Sequence, residues 1–229
     1  MGSESEPQAS SVLPRYAGLT AMAGGALGIV AAPLATSAYS LTGEGAAPPW
    51  EPALSDALDP LFTFASPEVV YAAYGKLYFF VFLGFFLGLI GLHARRRDAA
   101  GRLERWGFYL SFTGLILNLL GNIGDYWYGG GVGESTPDFL GFLLGTVLGL
   151  LLLIIGSTML GASLLREGTH FRPGAWLPVL AVPGIIALSF LGFGNIPSGP
   201  ALWFCFVWLT IGYPLRSGKD ENRRHASVR

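Results

Sequence analysis

Cysteine occurs once, at position 205, so the chain cannot close an intrachain disulfide or build a cysteine-rich metal site. Charge is scarce: Asp, Glu, Lys and Arg make up 13% of the residues, about half the roughly 25% usual in globular domains. A net charge of -1 provides no field to attract nucleic acid. The three histidines, His93, His170 and His225, fall at or beyond the ends of apolar stretches, so no pair is placed to ligate a haem iron inside a bundle. There is no His-Glu-x-x-His, and no phosphate-binding glycine loop ending in Lys-Ser/Thr. Cys205 has no histidine or other base near it in sequence, which argues against a thiol nucleophile. No catalytic constellation, cofactor or metal is expected. Lysine appears only at 76 and 219 against twelve arginines, a bias that fits a GC-rich bacterial genome.

What is abundant is apolar sequence. Hydrophobic residues make up 52% of the chain, and mean hydropathy is +0.50. The charges avoid long apolar runs, the signature of a polytopic membrane protein. The predicted fold is an all-α bundle of six transmembrane helices, at about 16–40, 68–92, 106–126, 137–165, 175–192 and 200–215. A polar leader, 1–15, and a basic tail, 216–229, read as disordered and cytoplasmic. A cleaved signal peptide ending near Ala35-Thr36-Ser37-Ala38 is the rival reading of the first span; the long acidic leader, with Arg15 its only basic residue, speaks against it. Between the first two spans, Trp50, Leu54, Leu58, Leu61 and Phe62 recur at helical spacing and predict a short amphipathic surface helix ending near Pro60.

Thirteen of the fourteen Lys and Arg lie in the leader, the loops 93–105 and 166–174, and the tail, whereas the opposite connections hold eight acids and no Lys or Arg. The positive-inside rule therefore places both termini in the cytoplasm and the protein in the plasma membrane. Residues 66–124 and 136–194 read as a repeat. Pro67, Gly75, Gly91, Arg96, Arg102, Trp106, Gly114 and Gly124 each recur 70 positions later without a gap. Each unit reads as a helical hairpin of the same direction, so the repeats are parallel and imply a pseudo-two-fold axis along the membrane normal. Gly24-x-x-x-Gly28, Gly84-x-x-x-Gly88 and the Gly141/Gly145/Gly149 stripe mark faces for close helix packing, within the chain or in an oligomer. Pro183 should kink the fifth span.

Lys76 is the one basic residue away from the inner side, and an ionised group at that depth needs a partner or water. Ser111, Asn118, Asn122 and Asp125 share one face of the third span, with Asn118 near the expected level of Lys76. The candidate site is thus an outward-opening polar pocket of Lys76, Asn118, Asn122 and Asp125, with Tyr74 beside it. Interfacial snorkelling of Lys76, with the asparagines as interhelical glue, is the plainer reading of the same residues. Arg95, Arg96 and Arg97 are candidate contacts for anionic lipid head groups, or simply a topology signal. Tyr126-Trp127-Tyr128 and, on the other side, Trp106 and Trp176 read as interfacial belts.

Three function classes follow. The first is a transporter or binding protein for a small solute, ion or lipid head group. The second is a non-catalytic component that assembles with a partner or organises lipid. The third, a lipid-modifying enzyme, would use Glu68 and Asp138, which are equivalent in the two repeats but are also ordinary helix-start acids.

Overall fold

A computed structural model describes residues 9–132, 135–166, 172–196 and 199–217. The leader up to residue 8 and the tail beyond residue 217 lie outside the described residues. Among those described, all regular structure is helical. The helices are α1 (Ala9–Leu41), α2 (Glu51–Ala57), α3 (Pro67–Arg96), α4 (Arg102–Asn122), α5 (Thr136–Phe142), α6 (Leu150–Arg166), α7 (Arg172–Val179), α8 (Ala181–Phe190) and α9 (Ala201–Ser217). α4 continues into a π-helical segment, Ile123–Gly129, and a second one, Leu143–Gly149, joins α5 to α6. Proline sets two of the starts: Pro67 opens α3, and Pro137 lies in the first turn of α5, where Ser135 caps the helix by accepting from the Asp138 amide at 3.3 Å.

Four stretches are long and apolar enough to cross a membrane, 15–41, 67–96, 102–129 and 136–166. The last two of the six predicted spans take another form. The fifth is broken at Leu180 into α7 and α8. Pro183 occupies the first turn of α8, where its missing N–H is tolerated, so the chain breaks ahead of it rather than bending at it. The sixth is α9, 17 residues long. Its C-terminal end meets α1 near Gly18, where a Cβ would touch the Arg216 backbone. Cys205 lies against Gly25 and Gly28. At the helical rise, Ala201 is then roughly 15 Å short of the end of α1. Gly199 and Pro200 stop the helix there, and α2 with the 191–196 segment fills the level above.

Backbones meet where the glycines stand. Gly24 packs on Gly84, Gly88 on Ala21 and Trp208, and Gly25 and Gly28 on Cys205, binding α1 to α3 and α9. α4 runs antiparallel to α5 and α6 through Gly107–Gly156, Gly114–Gly149 and Gly121–Gly141/Gly145. The predicted small-residue faces are therefore engaged inside the chain. The two hairpins share helix limits, with ends at Arg96 and Arg166 and restarts at Arg102 and Arg172, but their packing differs. α3 lies against α1 and its hairpin partner α4, whereas α6 lies against α4 and its hairpin partner α7.

The predicted surface helix is present as α2, followed by a 3-10 turn, Asp59–Leu61. It is pinned at both ends. The Trp50 indole donates to the Leu191 carbonyl at 2.8 Å and stacks on Phe193, while the Tyr74 hydroxyl donates to the Leu61 carbonyl at 2.8 Å. Phe62 drops beneath it into a cluster with Ala38, Val70, Tyr71 and Tyr126. Tyr126 is 3% exposed and its hydroxyl meets that of Tyr71 at 3.0 Å. Of the predicted aromatic belt, Trp127 and Tyr128 face outward and Tyr126 does not. Trp106 and Trp176 face outward as expected. So do many large apolar side chains, among them Tyr109, Phe139, Leu151 and Phe190. That surface would be unusual in water and is ordinary against lipid.

Candidate functional site

α4 and the π-helical segment that continues it present Ser111, Asn118, Asn122 and Asp125 on one buried face, none more than 5% exposed. The face that meets it carries Asp138, Gly141, Gly145 and Gly149, at helical spacings of three, four and four. The glycines let the helices approach so closely that a Cβ on Gly141 would lie 2.3 Å from the Asp125 nitrogen. Asp125 and Asp138 lie on the two sides of this contact. Asp138 is 2% exposed.

Below this pair is a cavity of about 20 Å³ lined by Asn118, Asn122, Asp125, Tyr126, Thr146 and apolar or glycine neighbours, including Phe82 and Ala201. That is room for one water-sized particle. Asn118 donates its Nδ2 to the Gly114 carbonyl at 2.8 Å, and Asn122 donates its Nδ2 to the Gly75 carbonyl on α3 at 2.9 Å. Both amides thus use their nitrogens on backbone. The Asn122 Oδ1 is buried without a hydrogen-bond partner. A flipped amide would set oxygen against the Gly75 carbonyl, so the orphan acceptor is fixed by the site. The described lining includes no Lys, Arg or His. Both walls are widened to π geometry at this level, a feature that occurs mostly as single turns at functional sites.

The structure brings Asn118, Asn122 and Asp125 together and leaves Lys76 and Tyr74 outside. Lys76 places its Nζ 5.6 Å from the centroid of the Trp127 ring, a cation–π contact. The reason is helical phase. The α3 residue facing α4 is Gly75, whose missing Cβ is replaced by the Tyr126 ring, and the next residue is turned about 100° away. Tyr74 serves the α2 cap. Ser111 lines a separate, mostly apolar cavity with Ser157, Leu160 and Trp208. Asp138, which reasoning from sequence did not set opposite this face, is buried on the α5 side of the contact without lining the cavity. Its spacing to the glycine stripe was the available signal.

The arginine cluster is largely committed to the protein. Arg96 forms a buried bidentate pair with Glu104, at 2.7 and 2.9 Å. Arg95 donates to the Pro214 and Leu215 carbonyls at the end of α9, where a cation suits the helix dipole. Arg97 is exposed. Glu68 is exposed while Asp138 is buried, so the two form no matched outer pair. Among the described residues no group of three or more His, Cys, Asp or Glu could hold a metal. The chain matches no protein-family model, no curated protein and no solved structure.

Proposed function

We propose that this chain is an integral membrane protein that binds, and as a transporter moves, a small solute or ion at the cavity between α4 and the α5–α6 rod. The observation that carries the reading is the convergence of Asn118, Asn122, Asp125 and Thr146 on one small cavity in an otherwise apolar bundle. Buried polar groups in such a setting are expensive and are usually retained for function. The four long apolar helices and the outward-facing aromatic residues support insertion in a bilayer. Six spans remain our reading of the topology, with α7–α8 as a broken fifth and α9 as a short sixth, both termini cytoplasmic, and the plasma membrane of a bacterium as the location. The common 70-residue interval between helix limits supports a duplicated hairpin. Asn118 and Asn122 come from the first copy and Thr146 from the second, so the site would lie between the repeats rather than within either. Arg97 remains a candidate lipid contact. A purely assembling or lipid-organising role draws less support, because the glycine faces that suggested it are covered by helices of the same chain.

The test is thermal unfolding of the purified protein in detergent against alkali and alkaline-earth cations, small organic cations, amino acids and sugars. At least one class should raise the midpoint of the wild type, and Asn122→Leu and Thr146→Val should each reduce that shift. A folded wild type indifferent to every class would end the reading.

A further inference from the structure

Resting on that binding-site reading, we infer that the cavity beside Asn122 and the cavity beside Ser111 are two stations on one path through the protein, and that Phe85 bars the passage between them. Alignment is the first argument. The same four elements line both cavities. On α3 the residues are Phe82 and then Leu92, and on α4 they are Asn118 and then Ser111. On the α5–α6 rod they are Thr146 and then Ser157, and on α9 Ala201 and then Trp208. Each step runs toward one end of the bundle, where α3 and α6 stop at Arg96 and Arg166, α4 starts at Arg102, and Arg95 holds the end of α9. The cavities therefore lie one beyond the other along the axis these elements enclose, roughly 10 Å apart by the helical rise from Asn118 to Ser111.

What separates the cavities is the second argument. Phe82, in the wall of the first, meets Phe85 edge-on with centroids 6.3 Å apart, and Phe85 stacks at 6.0 Å on Trp208, in the wall of the second. Phe85 is fully buried, as are Leu115, between Ser111 and Asn118 on α4, and Phe204, between Ala201 and Trp208 on α9. Apolar side chains of three helices thus stand between the stations, and Phe85 touches a wall of each. Rings held by dispersion alone carry no hydrogen bond that a rotamer change would break. Polar chemistry is the third argument. Each cavity is lined by a buried side chain with an unpartnered polar atom, Asn122 Oδ1 in one and Ser111 Oγ in the other. Such an atom is costly to bury unless something visits it. The first cavity offers amides, a carboxyl and a hydroxyl, whereas the second offers the hydroxyls of Ser111 and Ser157 amid apolar walls. A station that holds, followed by one that lets go, is what passage requires. Each has about 20 Å³ of room, so the cargo is a single ion or molecule of about water size, shed of its hydration shell.

The experiment probes the path with silver ion, a small soft cation that thiols capture. Thr146→Cys and Ser111→Cys are made in the full chain carrying Cys205→Ala, each with and without Phe85→Leu, and loss of the free thiol is timed in detergent with nitrate salts. Thr146→Cys should react faster than Ser111→Cys. Phe85→Leu should speed the Ser111→Cys reaction roughly tenfold or more, equivalent to about 1.4 kcal/mol off the barrier, and leave the Thr146→Cys rate unchanged. Cys205, buried and lining neither cavity, is the control in the otherwise unaltered chain, and Phe85→Leu should leave its rate unchanged. Should Phe85→Leu fail to fold, Phe82→Leu, at the other end of the same ring contact, takes its place. A Ser111→Cys rate indifferent to the Phe substitution would overturn the inference, whether the thiol is sealed off or reached from the arginine end. An equal acceleration at Cys205 would overturn it as a general loosening of the core. Either result leaves the binding-site reading standing, because the unfolding screen above does not depend on the path. Stabilisation in that screen by amino acids or sugars alone would overturn only this inference, and indifference to every class would end both.

Discussion

Gly141→Val is expected to cost about 3 kcal/mol of stability, and it should do so by separating α4 from α5. A Cβ at Gly141 would sit 2.3 Å from the Asp125 nitrogen and 2.5 Å from the Gly121 carbonyl oxygen. Both are backbone atoms in helices, so no rotamer change relieves the clash. Either a helix moves or the variant fails to pack. Three residues on, Leu144 is 37% exposed, and Leu144→Val should change stability by less than about 0.5 kcal/mol. The comparison is made by thermal or denaturant unfolding in detergent. Equal effects at the two positions would mean that α4 and α5 do not meet as described.

The second large effect is at the opposite end of the bundle. Glu104 is 2% exposed and receives both forks of the Arg96 guanidinium. Glu104→Gln removes the buried charge that receives both forks of the Arg96 guanidinium and should destabilise by about 3–5 kcal/mol. Adding Arg96→Met to that variant should restore most of the loss, because replacing both partners removes the desolvation cost along with the attraction. Unfolding midpoints of the two single variants and the double variant measure the coupling. A loss below about 1 kcal/mol for Glu104→Gln would mark the pair as solvated, as surface pairs are.

Much of this architecture is legible in the residues. Pro67 and the Ser135-Thr136-Pro137 run announce helix starts, and the glycine pairs at 24/28 and 84/88 announce the α1–α3 contact. The polar face of α4 follows from spacing alone. What spacing on one helix cannot supply is its partner. Lys76 and Asn118 lie at similar depths, but depth does not fix phase, and Gly75, not Lys76, is the residue that faces α4. The same logic recovers Asp138 once it is counted with Gly141, Gly145 and Gly149, since a residue in register with a packing stripe lies in the interface. Arg96 read as a topology signal because its partner is reached only through the turn at 97–101, whose geometry the sequence does not dictate. The length of α9 depends on Gly199-Pro200 acting as a stop rather than as a loop already outside the bundle. Tyr126 looked like a belt residue because its neighbours are. Its burial comes from the vacancy that Gly75 leaves on α3.

The central claim is that the buried carboxyl of Asp125 is held at the cavity for a ligand and not for the fold. The most direct measurement is the stability of Asp125→Asn, with and without the solute or ion class that stabilises the wild type. The amide keeps the shape of the side chain and removes its acidic group. We predict unliganded stability equal to or above wild type, with the ligand's stabilisation abolished. A fall as large as that of Gly141→Val would contradict the claim and make Asp125 a structural group.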